Sequence, residues 1–201
     1  MTDKNSDFYK ELLMPDNMLR LYAKGAFPMA DEKTGLISWY LPETRCIIPL
    51  DNFNIPKSVK QYLTNEDFDF RFNTDFLSIV KNCANRENTW ISDELINAYK
   101  RLHKRGHIQT VETWQDGKLV GGLYGVTFRG AFFGESMFSN VSQASKAALS
   151  KLLFHLKEKG YVLLDVQYMT EHLKMFGAIE ITYEEYNKLL ELSYERACEF
   201  N

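Results

Sequence analysis

The alternation of apolar and polar positions changes period several times after residue 65, and each change marks an element. Residues 67–73 read DFDFRFN, an alternation of period two that predicts a strand. Residues 74–84 switch to an apolar stripe of Phe76, Leu77, Ile79 and Val80, the spacing of a helix. A second helix is predicted over 92–105, with Ser92 as N-cap and Leu95, Ile96, Tyr99 and Leu102 as its buried face. Three strands follow as a meander at 107–115, 118–128 and 131–139, joined by the hairpin signal Asp116-Gly117 and by Arg129-Gly130. Over 142–159 the residues Ala148, Leu149, Leu152, Leu153 and Leu156 recur at three and four, which predicts a long helix stopped by Gly160. The run YVLLDVQY at 161–168 predicts a buried strand. A short helix at 171–176, a last strand at 179–182 and a terminal helix at 183–196 complete the chain.

The first 64 residues carry weaker patterns. They hold Pro15, Pro28, Pro42, Pro49 and Pro56, one helix near 17–24 closed by Gly25, and short extended pieces at 37–40 and 46–50. Two units are therefore expected: a small loop-rich N-terminal domain, 1–64, and a second domain, 65–201. A meander followed by a helical crossover to a parallel strand predicts an α+β fold, a mixed sheet with helices on both faces. That layout looks like the acyltransferase (GNAT-like) fold of acetyl-CoA-dependent N-acetyltransferases, a likeness that says little about function by itself.

Composition narrows the class. With 201 residues, 45% hydrophobic and 25% charged, the chain has enough apolar surface to offset ordering entropy, which excludes a disordered protein. Cys46, Cys83 and Cys198 are widely spaced and odd in number, as expected of thiols in a reducing compartment. The opening stretch is broken by charges, and no apolar run approaches the ~18 residues of a membrane helix, so a cytoplasmic protein is expected. The net charge of −3 does not advertise a nucleic-acid binder. The densest basic cluster, Lys100-Arg101-Leu102-His103-Lys104-Arg105-Gly106-His107, reads either as a helix end favoured by the dipole or as a phosphate contact.

Polar residues inside apolar strands supply the candidate chemistry. Asp165 and Gln167 stand two apart in YVLLDVQY and so share a sheet face, a costly placement unless each has a partner or a function. Either they form a structural network, or Asp165 orients the Gln167 amide toward a reacting group. Glu135 repeats the anomaly in AFFGESMF, where alternation would put it on one face with Phe133 and Met137. Together the three would form the floor of a pocket walled by Leu123, Phe132, Phe133, Met137 and Phe138. Trp39 and Trp90 are packing residues or stacking plates for a nucleobase. His103 and His107 are interrupted by Gly106, and no carboxylate or thiol completes a zinc set, so no metal is expected. The chain has no nucleophile elbow and no glycine-rich phosphate loop, and the 140–145 entrance lacks the glycine-bearing turn of coenzyme A enzymes.

Six stretches occur in order: GAFPM at 25–29, TWI at 89–91, LVGGLYG at 119–125, GESMFS at 134–139, ASK at 144–146 and LDVQ at 164–167. Over nearly the whole chain this set resembles the leucyl/phenylalanyl-tRNA–protein transferase family. The resemblance implies transfer of Leu or Phe from charged tRNA to the α-amine of proteins beginning with Arg or Lys, marking them for N-end-rule degradation. It implies Asp165 and Gln167 as catalytic residues, with Glu135 holding the aminoacyl nitrogen or the acceptor's cationic side chain. Trp39, Trp90, Leu123, Phe132, Phe133, Ser136, Met137 and Phe138 would form the substrate pocket. Lys100, Arg101, Lys104 and Arg105 with Lys146 and Lys151 would contact tRNA. No cofactor is implied, and a monomer is expected. Two positions depart from the family pattern, where Asn140 and Tyr183 stand in place of basic residues. A relative with altered amino-acid specificity, an acyl-CoA transferase and a non-catalytic tRNA- or degron-binding module are the competing readings.

Overall fold

A computed structural model describes residues 9–64 and 67–201. Among them, the elements in chain order are α1 (Pro15–Tyr22), β1 (Phe27–Ala30), β2 (Ile37–Tyr40), β3 (Thr44–Ile47), α2 (Lys57–Thr64), β4 (Asp69–Phe72), α3 (Phe76–Ala84), α4 (Asp93–His103) and β5 (Ile108–Gln115). They continue with β6 (Lys118–Phe128), β7 (Ala131–Ser139), α5 (Ala144–Glu158), β8 (Leu163–Gln167), α6 (Glu171–Lys174), β9 (Ile179–Thr182) and α7 (Tyr183–Tyr194). The local signals act as their chemistry dictates. Ser92 Oγ accepts from the Leu95 amide at 3.2 Å to start α4. Asp116 and Gly117 both take positive φ, 50° and 71°, in the tight turn between β5 and β6.

The fold is a mixed α+β arrangement around a seven-stranded sheet in the order β4-β5-β6-β7-β8-β3-β9. Neighbours are antiparallel except β7 and β8, which run parallel across the α5 crossover. β1 and β2 form a separate two-stranded sheet. One face of the large sheet is covered by α1, α3, α4 and α7, with Tyr22, Ile79, Leu102 and Leu190 in its core. The other is covered by α5 and α6, with Leu149, Leu153 and Leu173. The paired glycines of β6 set the depth of packing, since a Cβ on Gly121 would lie 2.5 Å from that of Ala144.

The first 64 residues are woven into this sheet. β3 lies between β8 and β9, with Ile47 opposite both Asp165 and Ile179, so an interior strand of the sheet comes from before residue 64. Residues 57–64, in the stretch read as irregular, form α2. Among the described residues Cys46, Cys83 and Cys198 are free thiols, and no helix is long and apolar enough to cross a membrane.

Candidate active site

The pairing of β7 with β8 ends at Phe133 opposite Asp165, although β7 runs on to Ser139 and β8 to Gln167. The two strands part there, and the polar residues singled out above sit at the parting. A bulge sets the geometry. Gly134 opposes Gly125 and Ser136 opposes Tyr124, so Glu135 is the extra residue. The bulge also reverses the alternation. Phe133 and Phe138 pack on the face of α1 and α4, whereas Leu123, Phe132 and Met137 pack on the face of α5. The expected pocket wall is thus divided between two faces, and Phe132 and Phe133 are core residues at 0% and 1% exposure. Glu135 does not share a face with Met137, because one inserted residue shifts everything after it by half a period.

Glu135 is buried and accepts from the hydroxyls of Tyr22 at 2.9 Å and Tyr99 at 2.6 Å, while Gln167 Nε2 lies 3.5 Å away. Burial pushes its carboxyl up to about 7, against the pull of the two phenols. Burial and the nearby Glu135 charge also raise both phenols well above their usual value, which keeps them protonated donors.

Asp165 lies on the same face and is fully buried. Its Oδ2 receives Arg45 and the Tyr186 hydroxyl, the latter at 2.9 Å, and its Oδ1 accepts from the backbone N–H of Gln167 at 2.9 Å. The expected bond from Asp165 to the Gln167 amide is replaced by this backbone contact. Gln167 has φ 66°, the left-handed region, which an L residue occupies only when its surroundings hold it. Asp165 supplies that hold, and the amide is left to face Glu135. Arg45 in turn donates to the carbonyl of Gly25 and lies over the rings of Phe27 and Tyr186, at 5.0 and 4.5 Å. Gly25 has φ 79° after α1, and a Cβ there would strike the Tyr186 ring at 2.6 Å.

Trp39 of β2 meets Tyr22 edge-on at 5.6 Å, and its indole Nε1 is buried without a protein partner. Trp90 is drawn to the same neighbourhood because its carbonyl accepts from Ala30 of β1, while β1 pairs Pro28 with Trp39. Ser136 is half-buried beside Arg86, whose guanidinium reaches the Met137 carbonyl and comes within 3.4 Å of Ser136 Oγ. Arg45, Tyr22, Tyr186 and Arg86 were not singled out in the sequence, because nothing local distinguishes them, and Tyr99 reads there only as part of a helix's buried face. A third buried carboxylate, Glu112, is consumed by structure: it accepts from Thr74 and Asp75 amides, the Thr110 hydroxyl and the Trp114 indole.

The basic residues do not form one surface. Arg101 donates to the Leu13 carbonyl at 3.1 Å and Arg105 pairs with Asp16, which ties α4 to the chain before and within α1, while Lys100 reaches Asn97 of its own helix at 3.3 Å. Lys104 is the C-cap residue of α4. Lys146 and Lys151 lie on α5, across the sheet. His103 stacks on Phe76 and His107 contacts the Thr127 carbonyl. Among the described residues, no group of three or more His, Cys, Asp or Glu could hold a metal ion. Two cavities, of about 740 and 360 Å³, are lined by none of the Glu135 cluster.

Comparison with known proteins places this geometry. The family model for the leucyl/phenylalanyl-tRNA protein transferase matches residues 47–191, and the model of that family's N-terminal domain matches 12–43. A leucyl/phenylalanyl-tRNA–protein transferase of Salinibacter ruber is 47% identical over 84% of this chain and 75% of its own. Proteins of the same name from Gloeobacter violaceus and Chlorobaculum tepidum are 44% and 42% identical, each over 94% of this chain and 97% and 100% of their own. The solved L-PGS of Bacillus licheniformis is similar only distantly, at TM-score 0.43 and 14% identity over 78% of this chain and 54% of that one. Glu135, Asp165 and Gln167 lie within the first match with Tyr99 and Tyr186, Tyr22 lies within the second, and Arg45 falls between the two; on these comparisons the chain belongs to the leucyl/phenylalanyl-tRNA–protein transferase family.

Proposed function

We propose that this chain moves leucine or phenylalanine from charged tRNA to the α-amine of a protein beginning with Arg or Lys, marking it for N-end-rule degradation. The reading is carried by one observation: a primary amide at a strand end, held in a left-handed backbone and backed by a buried carboxylate, in a member of this family. The parallel splay of β7 and β8 supports an acyltransferase-like use of the fold. The aminoacyl ester is already activated, so alignment is the main task, and it can supply ~7–11 kcal/mol. Gln167 accepts an N–H of the incoming amine on its carbonyl oxygen while its amide nitrogen faces Glu135. Glu135 draws in the amino nitrogen of the aminoacyl group. Trp39 and Trp90 receive the terminal adenosine. As nitrogen bonds to the acyl carbon, the ester C–O bond breaks and the ammonium proton passes to the departing ribose oxygen. The reaction proceeds without cofactor or acyl-enzyme, on a monomer in the cytoplasm, where its donor is.

The test is transfer in vitro from Leu-, Phe- and Met-charged tRNA to peptides beginning with Arg, Lys, Asp or Ala. Leucine and phenylalanine are expected on the Arg- and Lys-led peptides. Gln167→Ala is expected to lower kcat about 100-fold with tRNA binding retained. Equal transfer to all four peptides, or undiminished transfer by the variant, would overturn the reading.

A further inference from the structure

Helix α5 carries Lys151, Phe154 and Lys157 at intervals of three residues, so about 9 Å of helix presents a cation, a ring and a cation in turn. With Lys60 of α2 and with Asp51 and Phe53, they line the cavity of about 740 Å³. Phe154 is 49% exposed, and its ring meets that of Phe53 edge-on at 5.4 Å. The ammonium of Lys157 lies 5.6 Å from the centre of Phe53, and that of Lys151 lies 4.8 Å from Phe70. Rings rather than carboxylates hold these two cations, so their charge is not neutralised. None of the three lysines belongs to an ion pair among the described residues. Three lysines against one aspartate make a positive groove in a chain of net charge −3.

We propose that this groove seats the body of the nucleic-acid donor, with backbone phosphates on Lys60, Lys151 and Lys157 and a base or ribose against Phe154. Cations spaced along a trough suit a linear, repeating anion, and an exposed ring between them suits a π-faced base. The inference rests on the transferase reading, which supplies a polyanion far larger than the aminoacyl end assigned to Gln167. Because α5 covers the face opposite Tyr22 and Tyr99, the groove touches tRNA away from its ester. It replaces the end of α4, where Arg101 and Arg105 are engaged within the chain.

The experiment titrates the full chain with fluorescently labelled uncharged leucine tRNA between 0.05 and 0.3 M KCl, salt concentrations of roughly the range over which phosphate contacts are resolved. Lys60→Gln, Lys151→Gln and Lys157→Gln together are expected to lower the log–log salt slope by about one per lysine and to weaken binding at least about tenfold. The corresponding three arginine substitutions are expected to restore both. An unchanged slope and affinity in the glutamine variant, or an equal loss in the arginine variant, overturns the proposal. If the triple glutamine variant loses its thermal transition, Lys60→Gln alone carries the test, with a slope change of about one. Wild-type transfer is scored separately. Transfer without any slope change removes the groove alone, and a slope change without transfer removes the transferase reading and keeps the groove.

Discussion

Burial pushes the Glu135 carboxyl up to about 7, while the hydroxyls of Tyr99 and Tyr22 pull it down; Asp165 raises it further and Arg45 opposes that. In the unfolded chain the same group titrates near 4.5. Between these values the folded state binds a proton that the unfolded state does not. The stabilisation is therefore fully present below about 4.5 and is lost as pH rises through about 7. Denaturant unfolding at pH 5 and pH 8 should show a loss of roughly 3 kcal/mol that Glu135→Gln abolishes, and equal slopes in the two proteins would contradict this. Glu135, Asp165 and Gln167 were legible in the sequence because a charge or amide inside an apolar strand is conspicuous. Their supports were not. Tyr22 and Arg45 lie 113 and 120 residues from the carboxylates they meet, and a buried tyrosine has no local signature. The bulge was also hidden, since the extra residue is fixed by the pairing of β7 with β6 and AFFGESMF alone does not show where the alternation slips.

At the level of elements, the meander, the crossover and the helix caps follow from period, turn residues and N-caps, all of which are local. β3 does not, because four residues between Pro42 and Pro49 carry too little pattern to name a partner. The glycine pair in β6 shows what family motifs can mean physically. At Gly121 a methyl group would meet the Cβ of Ala144 at 2.5 Å, its carbonyl carbon at 3.0 Å and the Ser145 amide at 3.1 Å. Backbone cannot yield as a side-chain tip can. Gly121→Ala is expected to lift the start of α5 and cost about 1–3 kcal/mol, read as a lower urea midpoint at unchanged m-value. A variant as stable as the wild type would show that α5 has room to move.

Across the whole molecule, the N-terminal quarter is part of the frame that holds Asp165 rather than an appendage. Arg45 brings the only described ion pair in which both side chains are at or below 1% exposure, and breaking such a pair leaves a buried charge uncompensated. Removing residues 1–50 strips β8 and β9 of their shared neighbour and Asp165 of its cation. The remaining chain is expected to lose cooperative thermal unfolding, measured by circular dichroism, and a sharp transition in it would show that the later strands close without β3. The position of that strand also has a consequence in time. Its two hydrogen-bonding edges are supplied by residues after 160, so a ribosome making about 5–20 residues per second leaves it waiting for on the order of ten seconds. Throughout that interval the nascent chain offers an unsatisfied ribbon, an opening for chaperones and for wrong partners alike.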